Sequence, residues 1–471
     1  MRQAVVIIHG IGEQRPMETL RAFVAGALGL VDKEELNKFV FSKPDRIDGT
    51  LELRRLSVST KGNVKESPLE KGCETDFYEL YWQHLMQDTS WLSVRGWVFD
   101  LVFRRHFPPR LSSVRRWVLG LTAVGIVTIA ALGMVLWLYL DGSPLWQSAA
   151  KPAIFSVSLA GVLGWLARRP LKSFVLGRAE RFFLGYVGDA ARYLTPDPPN
   201  IKARRDIRTA GLTLLRGLHE DELRRYERVI VVGHSLGSVI AYDLITWLWQ
   251  ERHHRLDLEY RTGKRETAVM RHAHPEPGFD DRSPLDDLAN PAVPSPKRAP
   301  NEFLASQRSL WQKLRKEHHL AWRITDLVTL GSPLAHADVL LADSEEAFQE
   351  GKRQREFPTC PPEGEDPRDH GLLGRTYEDD KGEHYAHILH HGAPFAVTRW
   401  TNLYFPGDII GGPVAGLFGK GIKDVELCPA ARGWVDGLIP ARSHTRYWDP
   451  LERHASEELK KSLDLNDLYE K

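Results

Sequence analysis

The segment from Arg228 to Gln250 constrains the fold of this chain more than any other. Residues 228–232 (RVIVV) form a short run of apolar, β-branched side chains that is typical of a buried strand. The turn Gly233-His-Ser-Leu-Gly237 follows at once, and residues 238–250 then carry apolar side chains at helical spacing. Strand, tight turn and helix succeed one another without intervening residues, which predicts a βα unit of an α/β fold.

The turn matches the Gly-x-Ser-x-Gly pattern of a nucleophile elbow, in which a sharp strand-to-helix turn holds a serine in strained backbone geometry. Gly233 and Gly237 are expected because a side chain at either position would clash. Ser235 is then presented at a helix N-terminus, where the helix dipole and the N–H of Leu236 favour negative charge on a substrate oxygen. We therefore predict Ser235 as a nucleophile and Leu236 as an oxyanion donor, with His234 in a supporting position.

A second glycine turn, His9-Gly10-Ile11-Gly12, follows the apolar run Ala4 to Ile8, which is predicted as a buried strand. Acyl transfer needs a second backbone N–H directed at the oxyanion, and glycines let the backbone approach closely. We expect Ile11 to supply that N–H, with Gly10 and Gly12 supporting it. His9 is expected to hold its loop, because the base in this arrangement comes late in the chain.

These turns, together with TLGSPL at the end of the predicted strand Asp326 to Leu330, resemble the motifs of the α/β-hydrolase superfamily. The resemblance is to its lipase and esterase branch, specifically to GPI inositol-deacylase-like, membrane-associated serine hydrolases. It covers the N-terminal turn and roughly residues 228–450. It implies an α/β-hydrolase-like, mostly parallel sheet flanked by helices, and a triad in the chain order serine, acid, histidine.

The resemblance places the acid of the triad after a late strand. Asp408 follows the predicted strand Val397 to Phe405 in a Pro-Gly turn, and Asp424 is the alternative. Either aspartate could instead cap a turn. The long gap between Ser235 and Asp408 departs from the usual spacing and must be taken up by polar insertions at about 251–300 and 343–392.

The base of the triad is expected near the end of the chain. His444 comes after the acid, and His454 is the alternative, although it lies in a charged run predicted as a surface helix. In this interpretation His444 takes the proton from Ser235, and Asp408 holds the imidazole in the correct tautomer.

Two uncharged apolar stretches predict a membrane hairpin. Residues 117–140 would span about 36 Å as a helix. Residues 152–167 are shorter and would need either a thinned bilayer or a span that begins near residue 146. Arginines flank the pair on both sides, and the connection holds one Asp and one Lys, so the positive-inside tendency places both long ends in the cytoplasm. A buried helical pair or an amphipathic lid is the alternative.

The hairpin sets the predicted domain organisation. A membrane insertion at 105–181, with spans at about 117–140 and 146–167, would divide a hydrolase domain into residues 1–104 and 182–471. Because the His9 turn precedes the insertion and Ser235 follows it, one active site requires an even number of crossings. The catalytic domain is then expected on the cytoplasmic side of the membrane.

Composition excludes several other functions. Lys and Arg number 63 against 62 Asp and Glu, so a formal charge of +1 provides no global field for nucleic acid. The three cysteines are far apart, which fits a reducing compartment and argues against a disulfide framework or a cysteine zinc site. The histidines at 384, 387, 390 and 391 could bind a metal if they shared a helical face, but a solvated loop is the default, and no metal or cofactor is expected.

Together these features predict a membrane-anchored serine hydrolase that cleaves a lipid-like carboxylic ester or thioester through an acyl-serine intermediate. Its expected partners are the lipid bilayer and an apolar ester substrate. Two alternatives remain: an amidase or peptidase with the same triad, and a non-catalytic membrane scaffold that retains the fold.

Overall fold

The apolar segments predicted as strands pair side by side in the computed structural model of this protein. The structure describes residues 2–10, 16–31, 33–45, 47, 54–59, 74–86, 193–194, 198–220, 226–261, 299–318, 321–342, 344–363, 372–379, 382–408, 410–430 and 443–465. Within them the strands are β1 Arg2–Ile8, β2 Val40–Pro44, β3 Arg54–Ser59, β4 Glu74–Leu80, β5 Arg228–His234, β6 Ile324–Leu330, β7 Leu372–Asp379, β8 Gly382–Leu389, β9 Arg399–Tyr404 and β10 Lys423–Glu426. The helices are α1 Glu18–Leu28, α2 Lys33–Phe39, α3 Pro198–Glu220, α4 Leu236–Arg261, α5 Ala299–His318, α6 Ala337–Leu340, α7 Glu345–Arg353, α8 Ala415–Phe418 and α9 Arg453–Ser462.

Eight of these strands form one sheet in the order β10-β9-β6-β5-β1-β4-β3-β2. The six strands from β10 to β4 run parallel, whereas β3 and β2 are antiparallel to their neighbours. Every residue of β5 and β6 is buried, as expected of central parallel strands covered on both faces. The predicted α/β fold with a mostly parallel sheet is therefore confirmed.

Helices cover the two faces of the sheet, because side chains alternate between faces along each strand. On one face Val5 and Ile7 of β1 share a hydrophobic cluster with Phe23 of α1 and Leu459 of α9. Helix α4 lies against β5, β6 and β1, and α3 packs on α4. The longest apolar strands are thus fixed between helical layers, and their ends form a rigid edge.

The region from 343 to 392 contains more regular structure than the predicted polar excursion. Helix α7 begins after Ser344, whose Oγ accepts a hydrogen bond of 3.1 Å from the N–H of Ala347. Strands β7 and β8 form a separate antiparallel pair. The loop expected around the histidines is wrong for His384 and His387, which belong to β8, whereas His390 and His391 follow the end of that strand. A strand does not place side chains at helical spacing.

The chain divides into two compact units, one formed by Met1–Met86 with Pro196–Lys471 and the other by Gln87–Thr195. The whole sheet belongs to the first unit. The predicted spans at 117–140 and 146–167 lie outside the described residues. None of the helices within the described ranges combines the length and apolar character needed to cross a bilayer.

Candidate active site

The predicted site residues lie where four parallel strands end. Strand β1 leads into His9, β5 into Ser235, β6 into Gly331, and β9 into the turn before Asp408. Ile8 is paired with Gly233, and His234 with Leu330, so β1, β5 and β6 end at nearly the same height along the sheet. The carboxyl edge of a parallel sheet is where α/β proteins place their binding sites, and here it gathers polar residues from distant parts of the chain.

Ser235 occupies the sharp turn between β5 and α4. Its φ of 55° lies in the left-handed region, which is strained for any residue with a side chain. A Cβ on Gly233 would strike the backbone of Ser238, and a Cβ on Gly237 would strike the carbonyl oxygen of Ile8. The tight turn therefore requires glycine at both positions, for the reason expected from the sequence.

The Ser235 side chain is only 1 % exposed. Its backbone N–H donates to the Leu330 oxygen at 2.9 Å, which ties the turn to β6. The Oγ makes no hydrogen bond with any other described residue. Leu236, the expected oxyanion donor, is the first residue of α4 and is fully buried.

The His9-Gly10 turn lies directly against Ser235. A Cβ placed on Gly10 would be 2.8 Å from the Ser235 Cβ, so only glycine permits this approach. The two sequence motifs thus meet at one point. Ile11 and Gly12, the other residues of this motif, lie outside the described residues.

His9 holds its own loop. Burial lowers the pKa of His9 to about 4, so the ring is neutral near pH 7, and its Nδ1–H donates to the Gly10 oxygen at 2.7 Å. Trp82 stacks on the imidazole with ring centroids 5.2 Å apart, and its Nε1–H donates to the His9 oxygen at 3.0 Å. These contacts hold the His9 ring against its own loop and Trp82, and the supporting role of His9 stays a prediction.

Asp408 and His444 form a buried acid–base pair, with 2.8 Å between Asp408 Oδ2 and His444 Nδ1. Because an ionised carboxylate can only accept, Nδ1 carries the proton and the lone pair lies on Nε2. Burial alone would raise the pKa of Asp408. Hydrogen bonds from His444, from the Tyr447 hydroxyl at 2.7 Å and from the Ile410 N–H at 2.9 Å outweigh that effect and lower it to about 2.

His234 links this pair to the turn that carries the serine. Burial lowers the pKa of His234 to about 3, so the ring is neutral, and its Nε2–H donates to the His444 oxygen at 2.9 Å. The two imidazole centroids are 4.9 Å apart, and Trp448 contacts the His234 ring edge to face at 4.6 Å. The loop that carries His444 is thereby fixed against the residue that precedes Ser235.

The alternative acid and base have other contacts. Asp424 accepts from the Asn402 side chain at 2.7 Å and from the N–H groups of Val414 and Ala415 at 3.1 and 2.9 Å, so it caps the turn before α8. His454 Nδ1 accepts from the Cys428 N–H at 2.9 Å.

The histidine-rich segment provides no metal site within the described part of the chain. His390 Nδ1 accepts from the Gly392 N–H at 3.0 Å, and its Nε2–H donates to the Glu363 oxygen at 2.9 Å. Both ring nitrogens are therefore used by the backbone. Among the described residues, no group of three or more His, Cys, Asp or Glu side chains is arranged to hold a metal ion.

Tyr447 is a residue of the site that sequence reasoning missed. Its hydroxyl donates to Asp408 and accepts from the Phe405 N–H at 3.2 Å, and the side chain is fully buried. The only signal was its position three residues after His444.

Comparisons of the chain with protein-family models, with curated proteins and with solved structures gave no match.

Proposed function

We propose that this protein is a serine hydrolase with an α/β-hydrolase-like fold, in which Ser235, His444 and Asp408 form the catalytic triad. One observation carries the proposal. A serine held at φ 55° between a buried parallel strand and a helix N-terminus lies at the same sheet edge as a buried Asp–His pair. Strain of this kind persists only where the surrounding structure maintains it, and it concentrates at functional sites.

In the proposed reaction the Ser235 Oγ attacks the carbonyl carbon of an ester while His444 Nε2 takes the hydroxyl proton. The carbonyl electron pair moves to oxygen, and the N–H groups of Leu236 and Ile11 stabilise the resulting oxyanion. Collapse of this intermediate breaks the ester C–O bond, and His444 returns the proton to the departing alcohol. Water then attacks the acyl-serine with His444 again as base, which releases the acid and restores Ser235.

The proposed substrate is a carboxylic ester or thioester with an apolar acyl group. Its support is the sequence, in which a predicted membrane hairpin interrupts the catalytic domain and would keep the site near lipid. An amide is a harder substrate for the same triad, so a panel of matched p-nitrophenyl esters, thioesters and anilides of one acyl chain separates these classes.

The test of the catalytic proposal is covalent labelling of the full-length chain with a fluorophosphonate probe. We expect the parent protein to be labelled and Ser235→Ala to be unlabelled, because the probe reacts only with an activated serine. Ser462→Ala, which changes a serine at the end of α9, is the matched control and should be labelled like the parent. A folded parent that takes up no probe would reject the enzyme and favour the scaffold alternative.

We also propose that residues 105–181 anchor the enzyme in a membrane with its catalytic unit in the cytoplasm. Cys428 provides a natural reporter, because it is exposed whereas Cys360 is buried. In intact cells that express a Cys73→Ser variant, a membrane-impermeant maleimide should label Cys428 only after permeabilisation. Labelling before permeabilisation would place the catalytic unit outside.

A further inference from the structure

Ser238 donates both of its hydrogen-bonding groups to the carbonyl of Ser235. This serine lies in the first turn of α4 and is fully buried. Its backbone N–H donates to the Ser235 oxygen at 2.9 Å, and its Oγ–H donates to the same oxygen at 2.6 Å. The carbonyl of the strained residue is therefore fixed by two donors.

A second serine, just after the neighbouring strand β6, forms a hydrogen bond with Ser238. Ser332, two residues after the end of β6, has its Oγ 2.6 Å from the Ser238 Oγ. Each hydroxyl carries one proton, and that of Ser238 is already directed at a carbonyl, so Ser332 must be the donor. The Ser332 Oγ itself accepts from the Leu334 N–H at 3.2 Å. The direction of every hydrogen bond in this chain of groups is thus determined.

Fixing the Ser235 carbonyl also fixes the N–H of the next residue. The two groups belong to one planar, trans peptide and point in opposite directions. With the carbonyl oxygen held by Ser238, the Leu236 N–H points back out of the helix N-terminus, toward the carboxyl edge of the sheet. The Ser235 N–H is held at the same time by Leu330 of β6. The end of β6 therefore restrains both peptide groups of Ser235.

We propose that Ser238 and Ser332 are positioning residues that hold the Ser235–Leu236 peptide so that the Leu236 N–H is aligned with the oxyanion. The inference rests on the proposed function and extends it to two residues that do not touch the substrate. A hydroxyl in a helix often bonds to a carbonyl one turn back, but here a second element directs that hydroxyl. Misalignment of an oxyanion donor affects the transition state more than the bound substrate.

The test compares Ser238→Ala with Thr246→Val in the full-length chain. Thr246 is a buried residue of the same helix whose Oγ1 donates to the Tyr242 oxygen at 3.0 Å, so its variant removes the same kind of bond away from Leu236. Hydrolysis of p-nitrophenyl butyrate is measured per active site, as titrated with the fluorophosphonate. We expect Ser238→Ala to lower kcat about tenfold to a hundredfold with KM little changed, and Thr246→Val to retain the parent kcat.

A trifluoromethyl ketone, which forms a tetrahedral oxyanion on the serine, provides a readout that a purely structural role would not move. Its affinity should fall by the same factor as kcat in Ser238→Ala. The double variant Ser238→Ala/Ser332→Ala should be no worse than Ser238→Ala alone, because the two hydroxyls act through one carbonyl. Ser238→Thr and Ser332→Thr keep the hydroxyl and should therefore have a kcat close to that of the parent. They also test the inference if the alanine variants do not fold.

Three results would overturn the inference: an unchanged kcat in Ser238→Ala, an equal loss in Thr246→Val, or threonine variants as impaired as the alanine variants. If these occur while the parent is labelled at Ser235, the positioning role fails and the proposed hydrolase stands. A parent that is not labelled at Ser235 overturns both.

Discussion

Asp408 is a buried carboxylate whose surroundings favour its charged form. Its Oδ2 accepts from both His444 and Tyr447, and its Oδ1 accepts from the Ile410 N–H. With the pKa lowered to about 2, the group stays ionised throughout the neutral range. A charged Asp408 fixes the proton of His444 on Nδ1, and this leaves Nε2 as the basic nitrogen that the proposed mechanism uses.

Asp408→Asn should therefore lower kcat about 10⁴-fold, because the amide N–H would face Nδ1 and favour the wrong tautomer of His444. Asp424→Asn is the matched control, since Asp424 is a half-buried, hydrogen-bonded carboxylate that caps a turn. It should retain most of the parent kcat and lose only stability. Ester hydrolysis per labelled site measures both, and an equal loss in the two variants would contradict the assignment of the acid.

At this scale the sequence predicted where the residues belong but not all of their contacts. The acid and base were chosen by chain order, and they are hydrogen-bonded in the structure. The Tyr447–Asp408 bond joins positions 39 residues apart, and no periodic pattern relates them. Similarly, the sequence does not predict the contact between Ser238 and Ser332, because a hydrogen bond between two distant elements produces no pattern within either segment.

At the scale of secondary-structure elements, the apolar strands could be predicted from the sequence, whereas the polar helices and strands could not. The runs that became β1, β5 and β6 are mostly apolar because both faces of a central strand are covered, so their composition identified them. Strand β9 is only alternately buried. Helix α7 has an exposed, charged sequence, and only its capping serine and the acidic-to-basic order of its ends mark it. Strands β7 and β8 form a pair outside the main sheet, and the sequence of neither is apolar throughout.

The junction after β6 is the element on which the geometry of the acid–base pair depends. Gly331 has a φ of +54° and follows the last residue of that strand. A Cβ there would be 2.6 Å from Tyr447 Cε2, 2.8 Å from Asp408 Oδ2 and 3.0 Å from His444 Nδ1. Only glycine lets the chain turn while the three side chains pack against it.

Gly331→Ala should therefore displace the acid–base pair and lower kcat at least about a hundredfold, because small misplacements of catalytic groups have effects of this size. The left-handed conformation adds about 1–2 kcal/mol of destabilisation. Gly416→Ala in α8 is the control, since nothing lies within 4 Å of its added Cβ. Thermal unfolding and ester hydrolysis check both variants, and a Gly331→Ala protein with the parent kcat would show that the pair does not depend on this junction.

For the whole molecule, the edge of the sheet opposite the site is held by a buried charge cluster. Asp464, just after α9, accepts hydrogen bonds from Arg228 at the start of β5, Arg308 of α5 and Arg399 at the start of β9. Arg228 also binds Gln3 of β1, and Arg399 binds Asp326 of β6 at 2.6 Å. One carboxylate near the C-terminus thus connects strands from distant parts of the chain, which no local pattern could predict.

The cluster makes the free energy of unfolding depend on pH in the acidic range. Burial alone would raise the pKa of Asp464, but the three guanidinium groups lower it to about 2 from the ordinary 3.8. Because the folded-state pKa is below the unfolded one, the contribution is complete above about pH 4 and is lost as the pH falls toward about 2. Hydrogen bonds lower the pKa of Asp408 to about 2 as well, so Asp408 adds to the loss of stability in the same pH range.

Asp464→Asn should destabilise the chain by about 3–5 kcal/mol at pH 7, because it removes the negative charge that faces the buried Arg228 and the half-buried Arg308 and Arg399. Between about pH 4 and pH 2 the variant should lose less further stability than the parent, since it lacks a carboxyl whose pKa is lowered on folding. Urea unfolding of the full-length chain at several pH values measures both effects. Glu350→Gln, which removes an exposed pair with Arg353 on α7, should change neither. Parallel pH profiles for the parent and Asp464→Asn would show that the cluster is not the source of the acid sensitivity.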